Sequence, residues 1–245
     1  GSVTGVQTCA LPISRAGEPA RSRTAMQSAS KHLIRKEDQI IQLFSPPFDK
    51  SAMNPGYIKG YVPGVRENGG QYTHAAIWLV MAFAALGDKQ KTWELLQMIN
   101  PVNHGSDPAS IEQYKTEPYV IAADVYGVKE HKGRGGWTWY TGSAGWMYQL
   151  ILESFIGLKR KGNSLSFSPC IPPEWPSVKL NYKYMDTMYH IEFLQPHPGK
   201  KTTIRVVVDG VEENDKIIFL KNDGQRHEAK IFIDAQEVAA EKNRL

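Results

Sequence analysis

Cysteine is nearly absent from this chain, with two in 245 residues, so a disulfide framework is excluded. Cys9 lies in a stretch set aside below, which leaves Cys170 alone; a lone thiol agrees with a reducing compartment. Cys170 follows Pro169 with no activating neighbour, and it reads as a small packed residue rather than a nucleophile. No apolar run reaches the length of a membrane span. A surplus of charge is missing too: the net charge is +4, and the basic residues are scattered. That excludes the clustered stripe of a nucleic-acid binder. Metal-ligand spacing is lacking, because His104, His131 and Cys170 form no motif. The Gly133-Arg-Gly-Gly136 run has neither the spacing nor the lysine of a phosphate loop, and it reads as a turn.

Two motifs stand out. Tyr61-Val-Pro-Gly-Val-Arg-Glu-Asn-Gly-Gly-Gln-Tyr-Thr-His74 runs into an apolar stretch over 75–86. Trp137-Thr-Trp-Tyr-Thr-Gly-Ser-Ala-Gly-Trp146 runs into another over 147–155. Each places glycines and polar groups directly ahead of a run of helical length. Helix N-termini present unpaired N–H groups and a partial positive charge, which favour an anion. Two such starts, one carrying His74 and one Thr141-Gly142, can clamp one oxyanion between them.

Periodicity divides the chain in two. Up to about Gly162 it reads as helices separated by glycine- and proline-rich loops. A first helix is expected from Pro19 through Met26, Leu33 and Ile34. Ser45-Pro-Pro-Phe48 opens a loop running to His74, with tyrosines 57, 61 and 72 arguing against disorder. The 75–86 helix is apolar on nearly every face and should be buried on all sides, whereas 91–99 is amphipathic. Further helices are expected over 118–126 and 143–155, and the alternation of buried and half-exposed helices suits a helical toroid. Beyond Gly162 the period becomes two: Tyr189, Ile191 and Phe193 alternate with His190, Glu192 and Leu194. Asp209-Gly210 and Asp223-Gly224 mark turns, so this half is expected to be an antiparallel β-sandwich.

Both motifs resemble those of the inverting glycoside phosphorylases, the family of cellobiose phosphorylase, closest to its cyclic β-1,2-glucan synthase and β-1,2-oligoglucan phosphorylase branch. The resemblance covers roughly Ala20 to the C-terminus. It implies a mixed α-then-β chain: the last helices of an (α/α)6 barrel over 14–162, a jelly-roll-like antiparallel β-sandwich over 163–234, and a polar tail over 235–245. It also implies a C-terminal fragment, with the general-acid aspartate upstream and no catalytic residue on this chain. Residues 1–13 resemble a translated sequencing adapter and are set aside as an artefact.

The site residues follow from the same resemblance. In the family, the histidine of the first motif and the Thr-Gly pair of the second bind the attacking phosphate, which implies His74, Thr141 and Gly142. From spacing alone His74 reads as a core histidine, and Thr141 as a helix cap followed by a permissive glycine. Tyr61, Arg66, Glu67 and Glu117 match positions that contact sugar. Read without the resemblance, Arg66 and Glu67 are a solvated pair in a loop. Glu117 is equally a first-turn charge ahead of Pro118. Trp137, Trp139 and Trp146 read at least as readily as core as they do as stacking platforms.

An inverting glycosidase needs an acid for the leaving oxygen and a base that activates water. A phosphorylase replaces water and base with phosphate, already a nucleophile at neutral pH, so the protein must position it. The resemblance therefore implies phosphorolysis, or the reverse synthesis, of β-linked glucans through α-glucose 1-phosphate with inversion. The linkage implied is β-1,2. No cofactor is expected beyond inorganic phosphate as co-substrate. Expected partners are a β-glucan oligosaccharide, the N-terminal part of the same polypeptide and, in the full-length protein, a second copy. The expected location is the cytoplasm, or the cytoplasmic side of an inner membrane. Two rival readings stand: an inverting barrel glycoside hydrolase, and a non-catalytic carbohydrate-binding remnant.

Overall fold

A computed structural model describes residues 18–50, 52, 54–195 and 202–235. It divides the chain into two compact units, residues 1–155 and 156–245. The residues set aside as an artefact lie outside the described ones, as does the tail apart from Ala235.

In the first unit, α1 (Pro19–Leu33) opens on a proline suited to a first turn and buries Ser22, Met26, Ala29 and Leu33 along one stripe. A short hairpin follows, β1 (Ile34–Arg35) against β2 (Ile40–Ile41). The long loop after it is ordered by one side chain. Asn68 is fully buried; its Nδ2 donates to the carbonyls of Phe48 and Tyr61, both at 2.8 Å, and its Oδ1 accepts the Phe48 N–H at 2.7 Å. The chain then forms β3 (Gln71–Tyr72) and turns at once into α2 (Thr73–Ala85), which is buried on nearly every face, as its composition requires. Asp88 caps α3 (Lys89–Ile99) by accepting the Lys91 N–H at 3.0 Å, and this helix buries Thr92, Leu95, Leu96 and Ile99.

The next two elements depart from the sequence reading. Helix α4 (Pro108–Tyr114) was not anticipated, although Asp107 caps it through the amides of Ala109 and Ser110, both at 3.0 Å. The helix expected over 118–126 is absent. That stretch opens on a turn at 118–119 and leads into β4 (Asp124–Val125), which pairs antiparallel with β3, matching Tyr72 with Asp124. Its backbone groups are taken by neighbours: the Ala123 N–H donates to Trp137 O at 2.6 Å, and the Thr73 N–H donates to Ala123 O at 2.9 Å. With β-branched Val120, Ile121 and Val125 in the segment, cross-chain pairing prevails over helical bonding. Glu117 therefore does not stand at a helix start. Helix α5 (Thr141–Gln149) begins two residues before the expected start and passes into a π-helix over Leu150–Phe155.

The second unit begins earlier than the Gly162 boundary, because β5 (Leu158–Lys161) already pairs with β6 (Ser164–Phe167) across the Gly162 turn. It continues with β7 (Ser177–Tyr184), β8 (Thr187–Leu194), β9 (Thr202–Val208), β10 (Val211–Glu213), β11 (Ile217–Phe219) and β12 (Arg226–Ala235). One sheet has the order β10-β9-β12-β8-β7 and the other β11-β6-β5. Alternation along β8 is strict, burying Thr187, Tyr189, Ile191 and Phe193. Phe167 of β6 meets Phe193 of β8 edge-on at 5.7 Å, so the apolar faces of the two sheets share one core. Asp209 and Gly210 both take positive φ, 49° and 84°, as a two-residue hairpin turn demands. Pairing is not wholly antiparallel, because β12 runs parallel to β8. Cys170 is buried, as expected of a packed residue.

His227 on β12 joins two turns of this unit. Its Nδ1 is 2.6 Å from Asp209 Oδ2 and its Nε2 3.2 Å from Asp223 Oδ2. The hydrogen bond to Asp209 is the main cause that raises the His227 pKa, and the same bond lowers that of Asp209. A raised histidine pKa stabilises the fold fully below the unfolded value of about 6.5, and that gain is lost as pH rises through the folded value. The lowered aspartates contribute only above about pH 4, so the clamp is strongest between those limits. Both carboxylates are well exposed, so solvent screens much of the gain. His227→Gln should therefore reduce stability near pH 5.5 and matter progressively less on the alkaline side, read from denaturant unfolding across that range. Asn68→Ala should cost more, about 2–4 kcal/mol at any pH, because it strands buried main-chain groups of the loop.

Candidate functional site

Three extended segments lie side by side at the heart of the first unit. The middle one is 123–125. On one side it pairs with β3, which leads straight into His74. On the other, the Gly136 N–H donates to Asp124 O at 2.9 Å and Val125 bridges to Gly135. That third segment continues through Trp137 to the start of α5 at Thr141. The two helix starts singled out in the sequence are therefore launched from one small patch of paired backbone.

The helices that leave this patch touch. The His74 ring stacks parallel to Tyr72 at 6.3 Å, meets Trp78 edge-on at 4.7 Å and lies 5.6 Å from the Trp146 ring of α5. Burial lowers the His74 pKa, which favours the neutral imidazole. Its Nε2 has no hydrogen-bond partner in the protein, and neither has Trp78 Nε1. Thr141 and Gly142 are exposed in the first turn of α5, and a methyl group on Gly142 would meet open space. Tyr140 holds the cap position and no side chain caps the helix, so Thr141 is not the cap that its residue type allows.

Tyr61, Arg66 and Glu67 also come together. Arg66 adopts a left-handed backbone with φ 49°, and its guanidinium carbon lies 5.3 Å from the Tyr61 ring centre and 4.7 Å from that of Trp137. Its Nε is 3.6 Å from Glu67 Oε2, an ion pair too long for a hydrogen bond, and both atoms are buried without a partner. Tyr72 joins this group to His74. Burial is the main cause that raises its pKa, and Tyr140 and Glu67 raise it further. Glu117 sits apart, accepting the Trp139 Nε1–H at 3.2 Å, while Trp139 lies edge-on to Tyr119. Trp137 and Trp139 are 63% and 67% exposed, which corrects the core reading for both.

Asp124 was missed in the sequence. It is 1% exposed, Oδ1 accepts the Trp137 N–H at 3.4 Å, and Oδ2 is unpartnered. Burial is the main cause that raises its pKa, while the Trp137 and Arg66 amides and the Arg66 charge oppose the shift. A signal existed: Asp124 is the one carboxylate in an otherwise apolar and aromatic run from Tyr119 to Tyr126.

Buried polar atoms without partners are rare in folded proteins, and each one costs about 1–3 kcal/mol if left unmet. Here Arg66, Glu67, His74, Trp78 and Asp124 each contribute one, all within or beside the two motifs. Such a set is suited to a ligand rich in hydroxyl and anionic oxygens. Among the described residues no group of three or more His, Cys, Asp or Glu side chains is placed to hold a metal ion. No described helix is long and apolar enough to cross a membrane.

Residues 4–157 match the glycosyl hydrolase 94 superfamily catalytic domain. The chain belongs to this superfamily. The match begins inside the stretch set aside as an artefact, and the resemblance read from the two motifs is borne out at the level of the family. Cyclic beta-(1,2)-glucan synthase NdvB of Rhizobium meliloti (strain 1021) is 46% identical over 179 residues, which is 73% of this chain and 6% of that protein. N,N'-diacetylchitobiose phosphorylase of Vibrio proteolyticus is 27% identical over 199 residues, 80% of this chain and 24% of its own length. 1,2-beta-oligoglucan phosphorylase of Listeria innocua serovar 6a is 29% identical over 162 residues, 60% and 14% of the two chains. The chain thus spans a quarter or less of these relatives.

If His74 faces a bound anion, its titration will report it. In the ligand-free chain the imidazole should titrate below the ordinary value of about 6.5, and added phosphate should move it upward, since a neighbouring negative charge favours the protonated ring. Nitrogen-resolved NMR of the histidine rings measures both. A His74 that titrates normally and ignores phosphate would remove it from the site.

Proposed function

We propose that this chain supplies the phosphate-binding and acceptor-side portion of an inverting glycoside phosphorylase centre acting on β-linked glucans. The observation that carries this reading is the contact between α2 and α5, where the His74 ring, with its unpartnered Nε2, lies 5.6 Å from the Trp146 ring. In the proposed centre, His74 donates a hydrogen bond to phosphate from Nε2, and Thr141 with the Gly142 amide binds the same anion from the second helix. Tyr61, Arg66, Glu67 and Glu117 hold the sugar that accepts or leaves. Phosphate so positioned attacks the anomeric carbon in line and inverts it, while a carboxylic acid outside this chain protonates the departing oxygen. The α-helical unit is proposed as part of an (α/α)6 barrel and the β unit as its accompanying sandwich. A β-1,2 linkage is favoured by the glucan synthase relative at 46% identity.

A hydrolase would require a base carboxylate where the phosphate is proposed. The residues proposed for that position are a histidine and a Thr-Gly pair, which supports phosphate over a base. A carbohydrate-binding remnant would hold sugar alone, so phosphate is the discriminating ligand.

The chain should bind inorganic phosphate and sophorose separately in calorimetric titration. His74→Ala and Thr141→Val should each weaken phosphate roughly tenfold to over a hundredfold and leave sophorose near its original affinity. Glu67→Gln should do the reverse. The unaltered chain should release no glucose 1-phosphate from sophorose, since general acid catalysis is worth about a hundredfold to ten-thousandfold. If His74→Ala alters only sugar affinity, the phosphate clamp is wrong and a water-using hydrolase moves ahead.

A further inference from the structure

The two motifs are held in register by something neither of them contains. Asp124 belongs to the middle extended segment, between the strand that leads to His74 and the segment that leads to Thr141. Its main chain serves both sides: its Cα is matched with Tyr72, and its carbonyl accepts the Gly136 N–H at 2.9 Å. Its side chain reaches the residues that carry the cation–π stack. Oδ1 accepts the Trp137 N–H, and the ring of that same Trp137 lies 4.7 Å from the Arg66 guanidinium carbon. The fold makes room for that carboxyl by having no side chain opposite. A methyl group on Gly136 would overlap Oδ1 and come within 2.7 Å of Cγ and 2.8 Å of Oδ2.

We propose that Asp124 is a positioning residue of the sugar-side site: its buried carboxyl fixes the Arg66 and Trp137 segments relative to each other, so that the guanidinium stays stacked between Tyr61 and Trp137 and faces the ligand. This rests on the reading above for what the ligand is, but not for the geometry that Asp124 sets. An asparagine in its place keeps a side-chain oxygen that can accept the Trp137 N–H. Arg66 needs such a hold, because a non-glycine residue with φ 49° is at a backbone angle of higher energy and persists only where its surroundings impose it.

Three variants of the 245-residue chain test this. Asp124→Asn keeps the hydrogen-bonding pattern, Asp124→Ala removes it, and Gly136→Ala leaves the carboxyl intact but displaces it. The first readout needs no ligand: the NMR resonances of the Arg66 Nε–H and the Trp137 indole N–H, whose shifts depend on the stack. Asp124→Ala and Gly136→Ala should move both resonances, and Asp124→Asn should leave them close to their original positions. The second readout is sophorose affinity, expected to fall tenfold or more in Asp124→Ala and Gly136→Ala but to stay within about threefold of the original in Asp124→Asn. Far-UV circular dichroism confirms that each variant is folded. The proposal is overturned if Asp124→Ala leaves the two resonances in place, or if Asp124→Asn is as damaging as Asp124→Ala. If the original chain binds neither sophorose nor phosphate, the functional reading fails by itself, and the ligand-free resonances still decide the role of Asp124.

Discussion

Backbone pairing across 123–125 is the constraint on which the site depends. A helix start can present amides to an anion only if the chain ahead of it is held still, and two helix starts can share one anion only if both are held by the same support. Here β3 delivers Thr73 and His74, the 135–137 segment delivers Thr141, and Asp124 lies between them. The hydrogen bonds involved are short, 2.6 Å from Ala123 to Trp137 and 2.9 Å from Thr73 to Ala123. Each is modest in net free energy, on the order of 1 kcal/mol, but together they convert two distant stretches of sequence into one rigid frame. The loop carrying Tyr61, Arg66 and Glu67 is closed on itself by Asn68, whose amide bonds Phe48 and Tyr61, and it is joined to the chain just beyond this frame by the Gly127 N–H, which donates to Gly64 O at 2.7 Å.

Apolar content and local punctuation made much of the helical unit legible. The run that became α2 has too few polar residues to tolerate a wet face, and Pro19 set the start of α1. The failures have a common cause. Residues 118–126 carry enough apolar side chains to pass for a helix, but their amides and carbonyls found partners on neighbouring segments, a tertiary effect that leaves no period in the sequence. Helix α4 was the opposite case, since Asp107-Pro108 is a proper cap and first residue that went unread. Strand alternation located β8 correctly, while nothing in the pattern of β12 announced that it would run parallel to it.

For the candidate site, the residues within a motif were proposed from the sequence, and those defined by close approach were not. Tyr61, Arg66 and Glu67 lie within a few positions of each other and their meeting could be anticipated. Asp124 matters because a glycine twelve residues on leaves it space, and that relation exists only after folding. Trp137 and Trp139 were weighed as core as readily as stacking platforms because they lie near a helix expected to be buried; in the structure their exposed rings instead meet Arg66 and Glu117.

The place of β12 in its sheet also shapes how that unit comes into being. Among the described strands it is the last in sequence, yet it lies at the centre of the five, between β9 and β8. The β7–β8 and β9–β10 hairpins can each close locally, but until β12 arrives they are separate ribbons with exposed edges. During synthesis that sheet is therefore assembled from the outside inward, and its two halves stay vulnerable to pairing with other chains until the central strand is made.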